Sequence, residues 1–170
     1  MSSIMTVVQC WDDGVTTDTR LADILRRNNA KATFNLNAGL YEPERKFGWK
    51  YKDTEVFRLG WNEMREVYDG FTIANHSLTH PRLDQLPIDK ARRDIIDGRD
   101  ALEQFFGKPV RGFAYPFGAY NSAVMDAVRE SGHLYARGVG NNDCPFPPED
   151  PMAFQPCCHF LAPDFREHYE

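Results

Sequence analysis

The sequence predicts an α/β fold built on a parallel sheet. Strand-like and helix-like segments alternate along the whole chain, the pattern of successive strand–helix–strand units. Its 170 residues with 42% hydrophobic content suffice for one core, since a domain of this size buries roughly 70% of its unfolded surface. No internal repeat and no interdomain linker interrupts the pattern.

The elements follow in order. "IMTVVQCW" is a β-rich run that stops at "DDG", where Gly14 signals a turn. "TTDTRLADILRRNNA" reads as a helix, with Thr17 or Asp18 as cap and Leu21, Ile24 and Leu25 as its apolar stripe. "KATFNLN" is the second strand, and the order implies a parallel pair with a right-handed crossover. Residues 39–60 mix aromatic and charged side chains without a period, which suits a long excursion over one end of the sheet. "WNEMREVYDG" is a short helix closed by Gly70, and "FTIAN" is the third strand. The longest helix is "PIDKARRDIIDGRDALEQFFG", with Ile88, Ala91, Ile95, Leu102 and Phe105 near one side. Gly98 weakens its middle by about 1 kcal/mol relative to Ala. "PVRGFAY" is the fourth strand, "NSAVMDAVRESGH" a helix and "LYARGVG" the fifth strand. After the proline-rich "NNDCPFPPEDP", "MAFQPCCHF" is expected to add a last strand.

Composition excludes several function classes. The net charge is −5 with acidic and basic residues interleaved, so there is no basic stripe for nucleic acid. No apolar run approaches the roughly 20 residues of a membrane span. The N-terminus lacks the basic region and the cleavage site of a signal peptide, so a cytoplasmic location is expected. Cys10, Cys144, Cys157 and Cys158 form no CxxC and no framework, which predicts free thiols in a reducing compartment.

Three polar segments directly follow strands: "DDG" after the first, "HSLTH" after the third and "PFG" after the fourth. All fall at one end of the sheet, where open α/β folds bind ligands. Residues His76 and His80 stand four apart, which brings two imidazoles to one side if the segment is a helical turn. One carboxylate from "DDG" would complete a His₂Asp set of the kind that holds a catalytic zinc. Neighbouring Asp12 and Asp13 diverge at a strand end, so one is expected to bind metal and the other to stay free as a base. The segment is not the HExxH of zinc proteases, because Ser77 occupies the Glu position.

These motifs resemble the polysaccharide deacetylase family, the NodB-homology carbohydrate esterases. "CWDDG" is similar to the family's opening TFDDG, "KATF" to its ATFF, "HSLTH" to its H[ST]xxH and "FAYPFGAYN" to its RxPxG-like loop. The resemblance spans roughly residues 4–138 in the family's order. It implies a deformed (β/α) barrel with fewer than eight regular strands, in one catalytic domain over 1–170 shortened at its C-terminus. It implies a divalent metal, zinc first, on Asp13, His76 and His80, with Asp12 as the base that activates water. The main-chain N–H of Phe117 would help bind the oxyanion, with Tyr115 beside it at the substrate. The implied reaction is hydrolysis of the acetyl amide of an N-acetylated oligo- or polysaccharide, ahead of an O-acetylated one. The implied partner is that carbohydrate, with no nucleic acid and no membrane.

Two departures stand against the pattern. Ala114 occupies the place of the arginine that orients the family's catalytic aspartate, and Arg137 on the next strand is the candidate replacement. The last motif, which carries an acid histidine, has no clean counterpart, and His159 in "CCHF" is the best candidate for the acid. His133 and His168 read as structural or solvated. Ala114 and the short C-terminus motivate a competing reading as a catalytically silent carbohydrate-binding module. A cyclic-amide hydrolase on the same fold is the third reading.

Overall fold

The computed structural model describes residues 7–140, 147–163 and 165–168; Cys144 and the side chain of His168 fall outside it. In chain order its elements are β1 (Cys10–Asp12), α1 (Asp18–Arg27), β2 (Thr33–Leu36), β3 (Lys46–Tyr51), β4 (Thr54–Arg58), α2 (Trp61–Val67), β5 (Thr72–Asn75), α3 (Ile88–Phe106), β6 (Gly112–Ala114), α4 (Ser122–Glu130) and β7 (Tyr135–Arg137). The sheet runs β1-β2-β5-β6-β7, and every neighbouring pair is parallel. It curls enough for Arg137, on one edge strand, to pair with Asp12 on the other. This is a half-barrel with fewer than eight strands, as expected.

The strands end in step. Asp12 lies opposite Asn35, Asn35 opposite Ala74, Asn75 opposite Phe113 and Ala114 opposite Arg137. Residues just beyond these ends therefore share one rim. Beneath them, one apolar cluster packs Ala22, Leu25, Leu59, Met64 and Leu102 against Phe34 and Leu36. A second packs Ala91, Ile95, Val124 and Val128 against Phe113 and Tyr115. Burying a side chain such as Phe34 or Leu36 contributes roughly 1.5–3 kcal/mol, which anchors short strands that few ladder bonds hold.

Three expectations are corrected. Residues 39–60 do not run irregularly: Lys46–Arg58 form an antiparallel hairpin, with a register shift after Phe47. Its charged residues hid the strand alternation. The expected last strand is absent among the described residues; Pro151–Ala153 form a 3-10 turn, and Phe154 makes a single bridge to Arg137. The buried side of α1 is Asp18, Ala22 and Leu25, while Ile24 is exposed. In α3, Ala91, Ile95 and Leu102 are buried as the stripe requires. Cys10, Cys157 and Cys158 are free thiols. Among the described residues no helix is long and apolar enough to cross a membrane.

Asp18 does not cap α1 with its side chain; it turns inward, where the Tyr68 hydroxyl donates to its Oδ2 at 2.7 Å. Burial pushes its pKa up to about 7 despite that bond. A carboxyl with a raised folded pKa binds its proton more tightly folded than unfolded. Stability therefore falls as pH rises from the unfolded value near 4 to about 7. Denaturant unfolding at pH 5 and pH 8 should show this loss in the wild type, and Asp18→Asn should remove most of it.

Candidate metal centre

Asp12, the last residue of β1, keeps strand geometry, and its neighbour leaves it: Asp13 has φ 77°. This reversal separates the two carboxylates. The Asp13 carbonyl accepts from Arg58 Nη1 at 2.7 Å and from the Tyr41 hydroxyl at 3.1 Å, which pins the strained turn. Arg58 is buried, with its guanidinium carbon 5.0 Å from the Trp49 ring and 5.9 Å from the Tyr41 ring. Its Nη1 also lies 3.7 Å from Asp13 Oδ1.

The histidines meet without a helix. His76 continues from β5, then Ser77 (φ 65°) and His80 (φ 56°) both take left-handed conformations. The Ser77 hydroxyl accepts the His80 N–H at 3.0 Å and closes the turn. The imidazoles end with centroids 4.7 Å apart. With Phe117 (φ 59°), four of the six non-glycine residues of positive φ among the described residues lie in these motif segments. Such conformations cost about 1 kcal/mol or more each and persist where the surroundings enforce them, often at functional sites.

Asp13, His76 and His80 each bring a ligand atom within 4.8 Å of the others. Two features of the donors fit a divalent cation. Asp13 Oδ1 is buried and lacks a hydrogen bond among the described residues. His76 Nδ1 lies 2.7 Å from the Ala114 carbonyl, which can only accept. The proton therefore sits on Nδ1, and the Nε2 lone pair is left for a ligand, the usual arrangement of a metal-binding imidazole. Burial and the nearby His76 lower the pKa of His80, favouring the neutral form that binds metal.

Asp12 stands beside this set. Its Oδ1 takes a hydrogen bond from Asn35 Nδ2 at 2.7 Å and a short one from Arg137 Nη2. Its Oδ2 faces His76 Nε2 at 3.9 Å. Burial disfavours the ionised form, but the pull of His76 whenever that ring is protonated, together with Arg137 and Asn35, outweighs it and holds the carboxyl below the usual range. Arg137 thus supplies the guanidinium that Ala114 cannot; the two residues lie opposite each other in the β6–β7 pair.

The other sequence candidates separate. Phe117 sits at the rim, its exposed ring 4.6 Å from His80. Tyr115, expected at the substrate, is a core residue: it is fully buried, stacks on Tyr120 and donates to the Met152 carbonyl at 2.9 Å. Its ring packs with Phe113, Val124 and Val128 in the second core cluster. His159 is exposed, outside any strand, with Nδ1 accepting from Leu161 N–H and its ring stacked on Phe160. Among the described residues no hydrogen bond or ion pair joins it to Asp12, Asp13, His76 or His80. His133 is structural, buried between Asn75 and Ser131, and burial pushes its pKa down to about 4.

Sequence reasoning missed Arg58, Asn35 and Tyr41. Asn35 and Asn37 carried a readable signal, being polar at a spacing of two within an apolar strand. Arg58 carried none, because its contact depends on the unforeseen hairpin.

Residues 2–136 match the polysaccharide deacetylase family. The chain belongs to that family. Its fold is similar to that of the Streptococcus pyogenes deacetylase PplD in complex with acetate, at TM-score 0.71 and 20% identity, over 86% of this chain and 61% of that one. It is likewise similar to the BpsB deacetylase domain from Bordetella bronchiseptica, at TM-score 0.72 and 17% identity, over 87% and 69%. The uncharacterised protein YlxY of Bacillus subtilis is 25% identical over 111 residues, which is 65% of this chain but only 30% of YlxY. The chain thus spans less than two thirds of PplD and under a third of YlxY.

Metal titration followed by cobalt absorption should show one site in the wild type. His76→Ala and Asp13→Asn should each weaken it at least tenfold. Gly98 lies on α3 against "HSLTH", and a Cβ there would stand 2.8 Å from Asn75 Oδ1 and from Leu78 N. Gly98→Ala, favourable by helix propensity, should instead destabilise by about 1–3 kcal/mol as an overpacked contact and weaken cobalt binding with it.

Proposed function

We propose that the protein is a metal-dependent hydrolase that removes acetyl groups from an N-acetylated carbohydrate. The observation that carries this reading is the free Oδ2 of Asp12, turned toward the Asp13–His76–His80 set while Oδ1 is held by Arg137 and Asn35. Family membership supplies the substrate class. Asp13, His76 and His80 would hold the metal, zinc first, which when bound polarises the acetyl carbonyl and lowers the pKa of water.

The chain's own residues do the rest. Asp12 Oδ2 accepts a proton from the attacking water, and its depressed pKa keeps it ionised for that step. Attack forms a carbon–oxygen bond and places negative charge on the former carbonyl oxygen. The N–H of Phe117, at the rim beside His80, is the candidate donor to that oxygen. The carbon–nitrogen bond then breaks, giving acetate and an amine. We assign the proton the amine needs to Asp12, which has just received one. His159 was expected in this role; among the described residues its imidazole makes no hydrogen bond or ion pair with the centre, although its neighbour Phe160 packs on Trp11 beside Asp12. The Arg137–Asp12 pair removes one of the two grounds for a silent binding module, the guanidinium missing at Ala114.

Acetate release from chito-oligosaccharides tests the assignment. Asp12→Asn should lower kcat by about 10²–10⁴-fold with cobalt binding retained; turnover near the wild-type rate would remove Asp12 as the base. Arg137→Met should raise the Asp12 pKa, since Arg137 lowers it. The base works ionised, so the acid limb of the kcat/KM profile should move to higher pH. His159→Ala should leave kcat within about threefold of wild type, well short of the loss from removing an acid.

A further inference from the structure

We propose that the β3–β4 hairpin is a glycan-binding subsite, on which Trp49 and Tyr51 hold sugar rings of a polysaccharide chain beyond the one being deacetylated. This rests on the reading of the centre as a carbohydrate deacetylase.

The hairpin carries four aromatic side chains, Phe47, Trp49, Tyr51 and Phe57, and none belongs to either apolar core. Phe47 is 52% exposed, Tyr51 53% and Phe57 38%. Scattered exposed apolar residues need no explanation, but this ribbon gathers two aromatic side chains on each of its faces. The two faces of the ribbon differ. Phe47 pairs with Phe57 on one face; after the register shift, Trp49 pairs with Val56 and Tyr51 with Thr54. Because side chains alternate along a strand, Trp49 and Tyr51 share the face of Val56 and Arg58. The Arg58 guanidinium lies against the Trp49 ring and donates to the Asp13 carbonyl. Arg58, buried between them, thus links the Asp13 turn to Trp49, and Tyr51 continues the same face outward into solvent.

The ribbon is also fixed relative to the centre. Thr16 N–H donates to the Phe57 carbonyl at 2.8 Å, and Leu59 N–H to the Gly14 carbonyl at 2.9 Å, while Val15 bridges to Arg58. These bonds tie the base of β4 to the loop that follows Asp13. From Arg58 to Thr54, opposite Tyr51, the strand advances four residues at about 3.4 Å each, roughly 14 Å. That length suits a few linked sugars rather than one.

The chemistry fits a glycan. Aromatic rings offer apolar area at low conformational cost, with polar groups at the margin to fix orientation. Pyranose rings present C–H faces to such rings and hydroxyls at their edges; Thr54 is exposed opposite Tyr51, and Lys52 Nζ lies 5.6 Å from the centre of the Tyr51 ring, where both can meet those hydroxyls.

The test is calorimetric titration of metal-free protein with the β-1,4-linked pentamer and dimer of N-acetylglucosamine. The wild type should bind the pentamer at least tenfold more tightly than the dimer. Tyr51→Ala should abolish that difference, with circular dichroism confirming the fold, whereas Phe47→Ala on the opposite face should preserve it. Equal affinity for dimer and pentamer in the wild type, or a difference unaffected by Tyr51→Ala, overturns the subsite. So does a wild-type dimer in sedimentation that Tyr51→Ala dissociates, since a second copy would then be the occupant. Acetate release without length dependence would sink the subsite and leave the deacetylase reading standing. Length-dependent binding without acetate release would do the reverse.

Discussion

The pairing of Arg137 with Asp12 is the contact on which the rest of the centre depends. It joins the last strand of the sheet to the first, so it exists only because the sheet curls. Removing two charges from water is costly, and a partly buried pair is seldom retained for stability alone. Here the return is positional. Arg137 and Asn35 both occupy Oδ1 of Asp12, which leaves the other oxygen directed at the histidines. A carboxylate without those donors would rotate, and burial would favour its protonated form.

The second constraint is the pair of reversed backbones. Asp13 and the 77–80 segment bend through left-handed conformations that propensity disfavours, and each bend is held from behind. Tyr41 and Arg58 secure the first through one carbonyl; Ser77 and the close approach of α3 at Gly98 secure the second. A helical Asp13 or His80 would send its side chain elsewhere. The ligand geometry thus follows from packing around the loops rather than from ligand spacing in the sequence.

That distinction explains what could be read beforehand. The strand–helix alternation gave the sheet, because each buried strand and amphipathic helix leaves its own apolar pattern. The rim residues Asp12, Asp13, His76 and His80 were legible because polar motifs directly after strands must share one end of a parallel sheet. The hairpin was not legible, since a ribbon projecting into solvent has no apolar alternation to show. Arg58 was hidden with it. Tyr115 was misplaced because its motif neighbours lie at the rim, yet its ring packs into the second core cluster and its hydroxyl donates to the Met152 carbonyl. His159 was chosen for its residue type and its position after an expected strand that the structure replaces with turns.

Asp12 and Arg137 stand 125 positions apart. Contacts of such separation form late, because the chain entropy of closing a long loop must be met before they reward it. During synthesis, the opening strand and both histidines emerge well before the guanidinium that completes them. A nascent chain can therefore bring Asp13, His76 and His80 together while the Asp12 carboxylate still lacks its counter-ion, and the proposed centre is complete only when β7 docks.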